Sequence, residues 1–444
     1  MKLSYVRELS EYPTGSRRVR ILSMAVLASL IGSYEGQIAP VVPLLTRDLG
    51  ISLVTYGAVS AVALTVGAVA AAVGGRLTDR WGRVRVLVPL MLLTAVLCYG
   101  MALVDSAAEL LVARAVLAIV DGMVMAATAP LVRDFSPRTG RAQAFGFWTW
   151  GPVGANFLAA AIAGLTLPLL DDQWRSQFVI MGTISLVVSA VIACNIADLA
   201  PALRARIQRT EHASLSGADT ARPVRMRTLF GHRAMWAHVV GISVWLVLYL
   251  TLSLFGQSML SDTFGLDAAS ASAVMSGFWV LNLGTLVVVG RLSDRLQLRK
   301  PFIAAGTAVA VVMTGYLVVL MGEPSIALPR LLVTGALLGA GMGTAYAPWM
   351  AAFSENTEDI DPRLQGSAWG VYNFLARAVA VAVAVLMPRV VAVGGWSVWL
   401  VVCLACLAVF LPVTALFRGP WRRRPDLPHR ATSPAAQDRP RGER

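Results

Sequence analysis

Apolar stretches about twenty residues long return along the whole chain, separated by short polar loops, and this recurrence limits the fold more than any other feature. A stretch of that length spans hydrocarbon as a helix, because no water is there to satisfy an open backbone. The stretches are predicted at 21–45, 54–75, 86–104, 108–131, 143–168 and 176–197, then at 236–260, 270–290, 301–321, 328–353, 366–388 and 394–417. They form two sets of six around a polar gap at 198–235. With 57% hydrophobic residues, 14% charged residues and a mean hydropathy of +0.66, a soluble multidomain protein is excluded. The expectation is an all-α membrane protein.

The net charge of +13 would raise nucleic acid as a partner in a soluble chain. Here the arginines gather in short loops, where positive charge marks the cytoplasmic side. Loops after the second, fourth, sixth and eighth spans carry Arg76, Arg80, Arg83 and Arg85; Arg133, Arg138 and Arg141; Arg204, Arg206 and Arg209; and Arg291, Arg295, Arg299 and Lys300. The opposite loops carry Asp105, Glu109, Asp171, Asp172, Asp262, Asp267 and Glu323. Both termini are therefore predicted in the cytoplasm of a multi-pass inner-membrane protein. One cytoplasmic loop, "SENTEDIDPR", is acidic, but acids weigh little in that rule.

The expected organisation is a cytoplasmic tail over 1–20, a six-helix bundle over 21–197, a cytoplasmic linker over 198–235, a second bundle over 236–417 and a disordered tail over 418–444. No signal-peptide cleavage site is visible, so the first helix is expected to stay. Cys98, Cys194, Cys403 and Cys406 all fall in apolar runs. Cys403 and Cys406 lack the partner ligands that a zinc or redox pair requires, and read as packing. No cofactor or metal is expected.

Two loops repeat each other. "GGRLTDRWGRVRVLV" follows the second span and "VGRLSDRLQLRKPFI" the eighth, sharing G-R-L-[ST]-D-R at Gly75–Arg80 and Gly290–Arg295. Two halves in parallel repeat match a transporter plan with a site between them near mid-membrane. The first copy, with Gly75, Leu77, Asp79, Arg80, Gly82 and Arg83, resembles the signature loop of the major facilitator superfamily. The second keeps Gly290, Asp294 and Arg295 but loses the glycine turn to Leu296, Gln297 and Leu298. The resemblance covers about 20–417 and implies that these loop contacts form and break as the halves rock. Gly75 is expected to let its helix approach a neighbour closely, and Asp79 to cap a helix or pair with a cation.

Charged residues inside a span are costly and rarely idle. The first span contains Glu35 in "ASLIGSYEGQIAP", and the fourth has Arg114 and Asp121 seven residues apart, on one helical face about 10 Å apart along the axis. An acid in the first helix with this Arg-to-acid spacing in the fourth resembles the anion:cation symporter branch, the proton-coupled organic anion transporters. That resemblance implies that Glu35 and Asp121 take up protons and that Arg114 organises them. The branch usually places a substrate arginine directly after the first acid, where this chain has Gly36. Depth along the helices puts Arg114 level with Glu35 and Asp121 deeper.

The eleventh span offers a replacement. Trp369, Asn373 and Arg377 lie on one stripe, with Arg377 near mid-membrane, where it needs an anion: substrate, Glu35 or Asp121. Tyr34, Gln37, Trp148, Asn156, Trp245, Tyr249, Gln257, Trp279, Asn282, Tyr346 and Trp349 are further candidates to line a cavity, Tyr34, Gln37 and Tyr249 foremost beside Arg377, Asn373 and Trp369. Gly335, Gly339 and Gly343 read as a close helix contact. His212, His232, His238 and His429 lie in the linker, the edge of the seventh span or the tail, so a proton relay must use carboxylates. For these, burial disfavours the charge and a guanidinium favours it, which brings the two protonation states close in energy. The Gly151, Pro152 and Gly154 element is only a partial likeness to drug–proton antiporters, and a helix kink suffices to explain it. No H-E-x-x-H motif or nucleophile elbow argues for an enzyme. The reading is a monomeric, proton-coupled symporter of a small organic anion working by alternating access. The alternative is a proton-driven drug or metabolite exporter.

Overall fold

The computed structural model of the chain describes residues 6–136, 141–204, 206–207, 226–323, 325–361 and 364–422. A short strand, β1 (Glu8–Leu9), precedes α1 (Gly15–Glu35) and α2 (Val42–Asp48). Ser52 then accepts the Thr55 N–H at 3.1 Å and starts α3 (Leu53–Trp81). Gly82, at φ 100°, turns the chain directly into α4 (Arg83–Met101), a conformation that suits glycine. Ser106 caps α5 (Ala107–Asp134) by accepting the Glu109 N–H, while Glu109 reaches back to the Asp105 N–H at 2.9 Å. There follow α6 (Arg141–Thr166), α7 (Trp174–Asn195) and β2 (Asp198–Leu199). The second half contains α8 (Arg233–Phe264), α9 (Ala268–Leu296), capped by Asp267 on the Ser270 N–H, then α10 (Lys300–Leu320), α11 (Leu328–Glu358) and α12 (Gln365–Val413).

Among the described residues, ten helical segments are long and apolar enough to cross a bilayer. The last runs 52 residues and is broken by Gly395 at φ 76°, so it crosses twice. With the 26-residue α6, these give the twelve crossings expected. They pack as two bundles, α1–α7 and α8–α12.

Each bundle uses the same close crossing. In the first, α3 lies on α5, and in the second α9 lies on α11. A side chain at Gly339 would fall on the Phe278 carbonyl oxygen, and Gly335 and Gly343 likewise sit against Val274 and Asn282. Backbone cannot give way there as a side-chain tip can. Gly339→Ala is therefore expected to cost about 1–3 kcal/mol of overpacking, measurable as a lower Tm and yield in detergent. In the first bundle the close approach is made by Gly74, whose added Cβ would be 2.6 Å from Met123 Cα, while Gly75 has open space around it. This corrects the expectation for Gly75, because the contact face of α3 passes through its neighbour.

Several boundaries differ from the sequence reading. The first span is not continuous: α1 stops at Glu35 and a 3-10 turn, Ala39–Val41, leads into α2. The 1–20 segment is not a free tail, since α1 starts at Gly15 and β1 pairs in parallel with β2, Glu8 opposite Asp198 and Leu9 opposite Leu199. The linker loses residues at both ends, to β2 and to α8, and 205 and 208–225 lie outside the described residues. Of the 418–444 tail only 418–422 is described.

The motif loops occupy one end of the molecule. Contacts between the bundles are made in the half away from it. Gly57 lies against the Ala384 carbonyl and Pro388, and Tyr56 packs edge-on to Phe255 at 5.8 Å. Gly164 faces Ala269 and Ser272, and Ser253 Oγ donates to Asn156 Oδ1 at 2.9 Å.

Candidate functional site

The break in the first crossing follows from its sequence. Gly36 is a poor helix former, and Pro40 has no N–H and would clash with a preceding helical turn. The chain therefore leaves the helix after Glu35, with the Gly36 and Gln37 N–H groups both turning back to the Tyr34 carbonyl. The helix end bears partial negative charge, which favours a cation beside it. Arg114 on α5 supplies one, its Nη1 donating to the Gly36 carbonyl at 3.3 Å.

Glu35 is fully buried, and neither carboxylate oxygen has a hydrogen-bond partner among the described residues. Asp121 on α5 lies one turn nearer the motif loops. Its Oδ1 would be 3.4 Å from a Cβ added at Gly32, so that glycine makes its room. Asp121 Oδ1 is also buried and without a hydrogen bond. Arg114 is 9% exposed and makes its hydrogen bond to backbone, to neither acid. Cys98 of α4 and Ser185 of α7 complete the surroundings, Cys98 within the field of both acids and Ser185 facing Glu35.

From the second bundle, Arg377 is half-buried on α12 and makes no hydrogen bond or ion pair among the described residues. Its charge acts on Asp121, ahead of that of Arg114. Asn373, one turn earlier, is exposed and donates to its own helix at the Trp369 carbonyl, 2.9 Å away. The same bundle carries an aromatic group drawn from four helices, α8, α9, α11 and α12. Trp245 stacks on Tyr346 at 5.6 Å and 8°, Tyr346 on Trp349 at 5.9 Å and 13°, and Tyr249 meets Trp279 edge-on at 5.3 Å. The three tryptophans are buried, while Tyr249, Tyr346, Tyr372 and Trp369 form the half-buried rim. The Tyr346 and Tyr372 hydroxyls are hydrogen-bonded to each other. An unpartnered guanidinium beside tyrosine hydroxyls and ring faces can hold a planar anion.

The structure thus brings together Glu35, Arg114 and Asp121, with Arg377 acting on Asp121 from the second bundle; Asn373 and Trp369 share the helix of Arg377, and Tyr249 packs in the aromatic group. Tyr34 and Gln37 are placed elsewhere. They line a cleft inside the first bundle with Gln177, Phe178 and Met181, because the break after Glu35 turns this segment toward α6 and α7. Tyr372, Ser185 and Cys98 carried no sequence signal, being an aromatic and small polar residues in apolar runs. His238, read at the edge of its span, is fully buried; it stacks on Phe417 at 4.0 Å, with Asn356 2.7 Å from its Nε2.

At the motif loops, Arg83 is buried and joins Asp79 at 3.4 Å to Asp134, the last residue of α5, at 3.1 Å. Arg204 also pairs with Asp134, at 3.3 Å, and with Asp198, which accepts the Val84 N–H at 3.2 Å. Arg80 is exposed. The second copy keeps this logic despite its altered residues. Gln297 takes the turn at φ 52°, and Arg299 pairs with Asp294 at 2.6 Å and with Glu355 on α11 at 2.7 Å. Arg295 is exposed, and Gly290 is in ordinary contact with Ala347. The acidic "SENTEDIDPR" stretch contains Glu355, so one of its acids is the partner of a buried arginine.

Comparisons with known proteins agree with this architecture. The sequence profile of the Major Facilitator Superfamily matches residues 21–385 and also 259–441. A probable 4-methylmuconolactone transporter of Cupriavidus pinatubonensis is 26% identical over 355 residues, 78% of this chain and 78% of that protein. A cis,cis-muconate transport protein of Acinetobacter baylyi is 25% identical over 354 residues, 76% and 79% of the two chains. A gallate transporter of Pseudomonas putida is 23% identical over 382 residues, 80% and 82%. Among solved structures, a D-xylose–proton symporter superposes with TM-score 0.71 at 17% identity, over 91% of this chain and 99% of that one.

Proposed function

This chain belongs to the Major Facilitator Superfamily and is a membrane transporter, not an enzyme, and on that premise we propose that it moves small unsaturated or aromatic carboxylates together with protons by alternating access. The observation that carries the reading is Arg377: a half-buried guanidinium without a hydrogen-bond or ion-pair partner among the described residues, whose charge acts on Asp121 from the other bundle. A substrate carboxylate supplies the missing anion, and the Tyr249, Tyr346 and Tyr372 rim offers ring faces and hydroxyls to its planar body. The similarity to proteins named for muconate, 4-methylmuconolactone and gallate supports that class. Glu35 and Asp121 carry the proton. A carboxylate left without a hydrogen bond in a dry interior gains most from binding one.

The arginine-rich motif loops and linker face the cytoplasm of an inner-membrane protein working as a monomer. With the bundles in contact in the opposite half, the described state is closed toward the outside. Protonating Asp121 frees Arg377 to hold the substrate, and loss of the proton and the substrate lets Arg377 return to the carboxylate, so proton and anion exchange one partner.

The test is uptake of labelled cis,cis-muconate and gallate into proteoliposomes under an acid-outside gradient. Accumulation that collapses with a protonophore is expected. Gradient-driven efflux of cationic compounds without such uptake overturns the reading. Asp121→Asn, which keeps shape and removes the titrating group, is expected to shift or flatten the rise of uptake on acidification. An unchanged pH profile would make Asp121 structural.

A further inference from the structure

The outer half, where the bundles meet, is held mostly by contacts without direction. Gly57 lies against the Ala384 carbonyl, Tyr56 is edge-on to Phe255, and Leu44 of α2 packs against the cluster of Ala163, Leu167 and Ala268. One contact differs. Ser253 on α8 donates to Asn156 Oδ1 on α6 at 2.9 Å, with Ser253 9% and Asn156 8% exposed. Among the described residues of that half, it is the one hydrogen bond between the bundles. The ion pairs at that end, Arg175 with Asp48 and Asp105 and Arg330 with Glu323, each stay within one bundle.

Both partners are aimed. Asn156 Nδ2 donates to the Pro152 carbonyl of its own helix at 3.0 Å, which turns Oδ1 toward the second bundle. Helical hydroxyls usually bond back to their own helix, as Ser243 and Thr251 do to the Val239 and Val247 carbonyls, each at 2.7 Å. Ser253 reaches across instead. Counting back from Thr166 at the end of α6 and Phe264 at the end of α8, the pair lies about 15 Å in from the outer helix ends. Tyr249 of the aromatic rim is one turn to the cytoplasmic side of Ser253, on the same face of α8. The bond therefore closes the cavity just outside that rim.

We infer that the Asn156–Ser253 hydrogen bond is the latch that sets how often the site opens to the outside. The inference rests on the alternating-access reading. Ring, methyl and backbone contacts favour closure by area and tolerate sliding, whereas this bond forms in one register only. When the bundles part, water reaches both groups. Without Ser253, Asn156 Oδ1 is left buried and without a donor in the closed state alone, so the balance moves toward the open one. A carrier resting closed to the outside offers external substrate only its open fraction. Its apparent affinity for that substrate therefore rises as the fraction grows.

Spin-label distances in the reconstituted full chain test this without any substrate. Labels are placed through Leu169→Cys and Val393→Cys, at outer positions 79% and 94% exposed, one on each bundle, with Cys194→Ser removing the exposed native thiol. Ser253→Ala is expected to raise the ratio of long to short distances about threefold to tenfold. It should lower the external cis,cis-muconate concentration for half-maximal uptake by a similar factor, whereas a loss of packing alone would not improve it. Ser253→Thr, which keeps a hydroxyl, should restore both. Asn156→Ala should match Ser253→Ala, and the double variant should go no further than either. Two distance populations whose ratio Ser253→Ala leaves unchanged, or single effects that multiply in the double variant, overturn the latch and leave alternating access intact. One distance population in every variant, with and without muconate, overturns the alternating-access reading and the latch with it.

Discussion

Arg377→Ala is expected to abolish carboxylate uptake while leaving the chain folded. Its guanidinium makes no hydrogen bond or ion pair with the described residues, so little packing or pairing is lost with it. A substrate carboxylate deprived of its charge partner in a desolvated site loses about 2–5 kcal/mol, a weakening of about thirtyfold or more. Arg377→Lys keeps the charge but not the planar fork, and should recover only part of the activity. The competing explanation is a fixed pair with Asp121. In that case Arg377→Ala lowers the Tm by stranding a buried acid, and adding Asp121→Asn restores it. Thermal melts of the two single variants and the double variant, with uptake measured in parallel, separate a substrate site from a structural bridge.

Glu35→Gln should abolish concentrative uptake yet leave exchange of external for internal substrate. The amide has nearly the shape of the acid and binds no proton, and the native carboxylate makes no hydrogen bond with the described residues for the change to break. Replacing a buried, unpartnered ionisable group with a neutral one is expected to leave the Tm unchanged or raised. Full accumulation under a gradient in this variant would remove Glu35 from the proton path. Loss of exchange as well would place it in substrate binding.

Most of the scaffold was legible because hydrocarbon leaves the backbone few choices. Span length marked the twelve crossings, and the repeated loop paired the halves. The helix-breaking content of the first span was also visible, in Gly36, Pro40 and Pro43, yet the span was read as continuous. Hydropathy sums over a window and does not register where a ladder of hydrogen bonds is cut. The second motif copy shows the same limit. Its glycine was gone, but Gln297 takes the same left-handed turn, and Arg299 two residues on recovers the pairing from Glu355.

Glu35, Arg114, Asp121 and Arg377 could be singled out from sequence alone, because a charge in an apolar span has a cost that composition reveals. Their grouping could not. Arg114 meets the Gly36 carbonyl across 78 residues of chain, and Arg377 acts on Asp121 from the other bundle. The aromatic rim is likewise drawn from α8, α11 and α12, and Tyr34 and Gln37 left the candidate substrate face when the break turned them inward. Sequence by itself determined the membrane, the helices, their repeat and the costly charges, since each depends on local chemistry against a uniform solvent. Which charges share a space, and which stand unpartnered, depends on how helices cross, and that is decided by glycine contacts and helix breaks acting at long range.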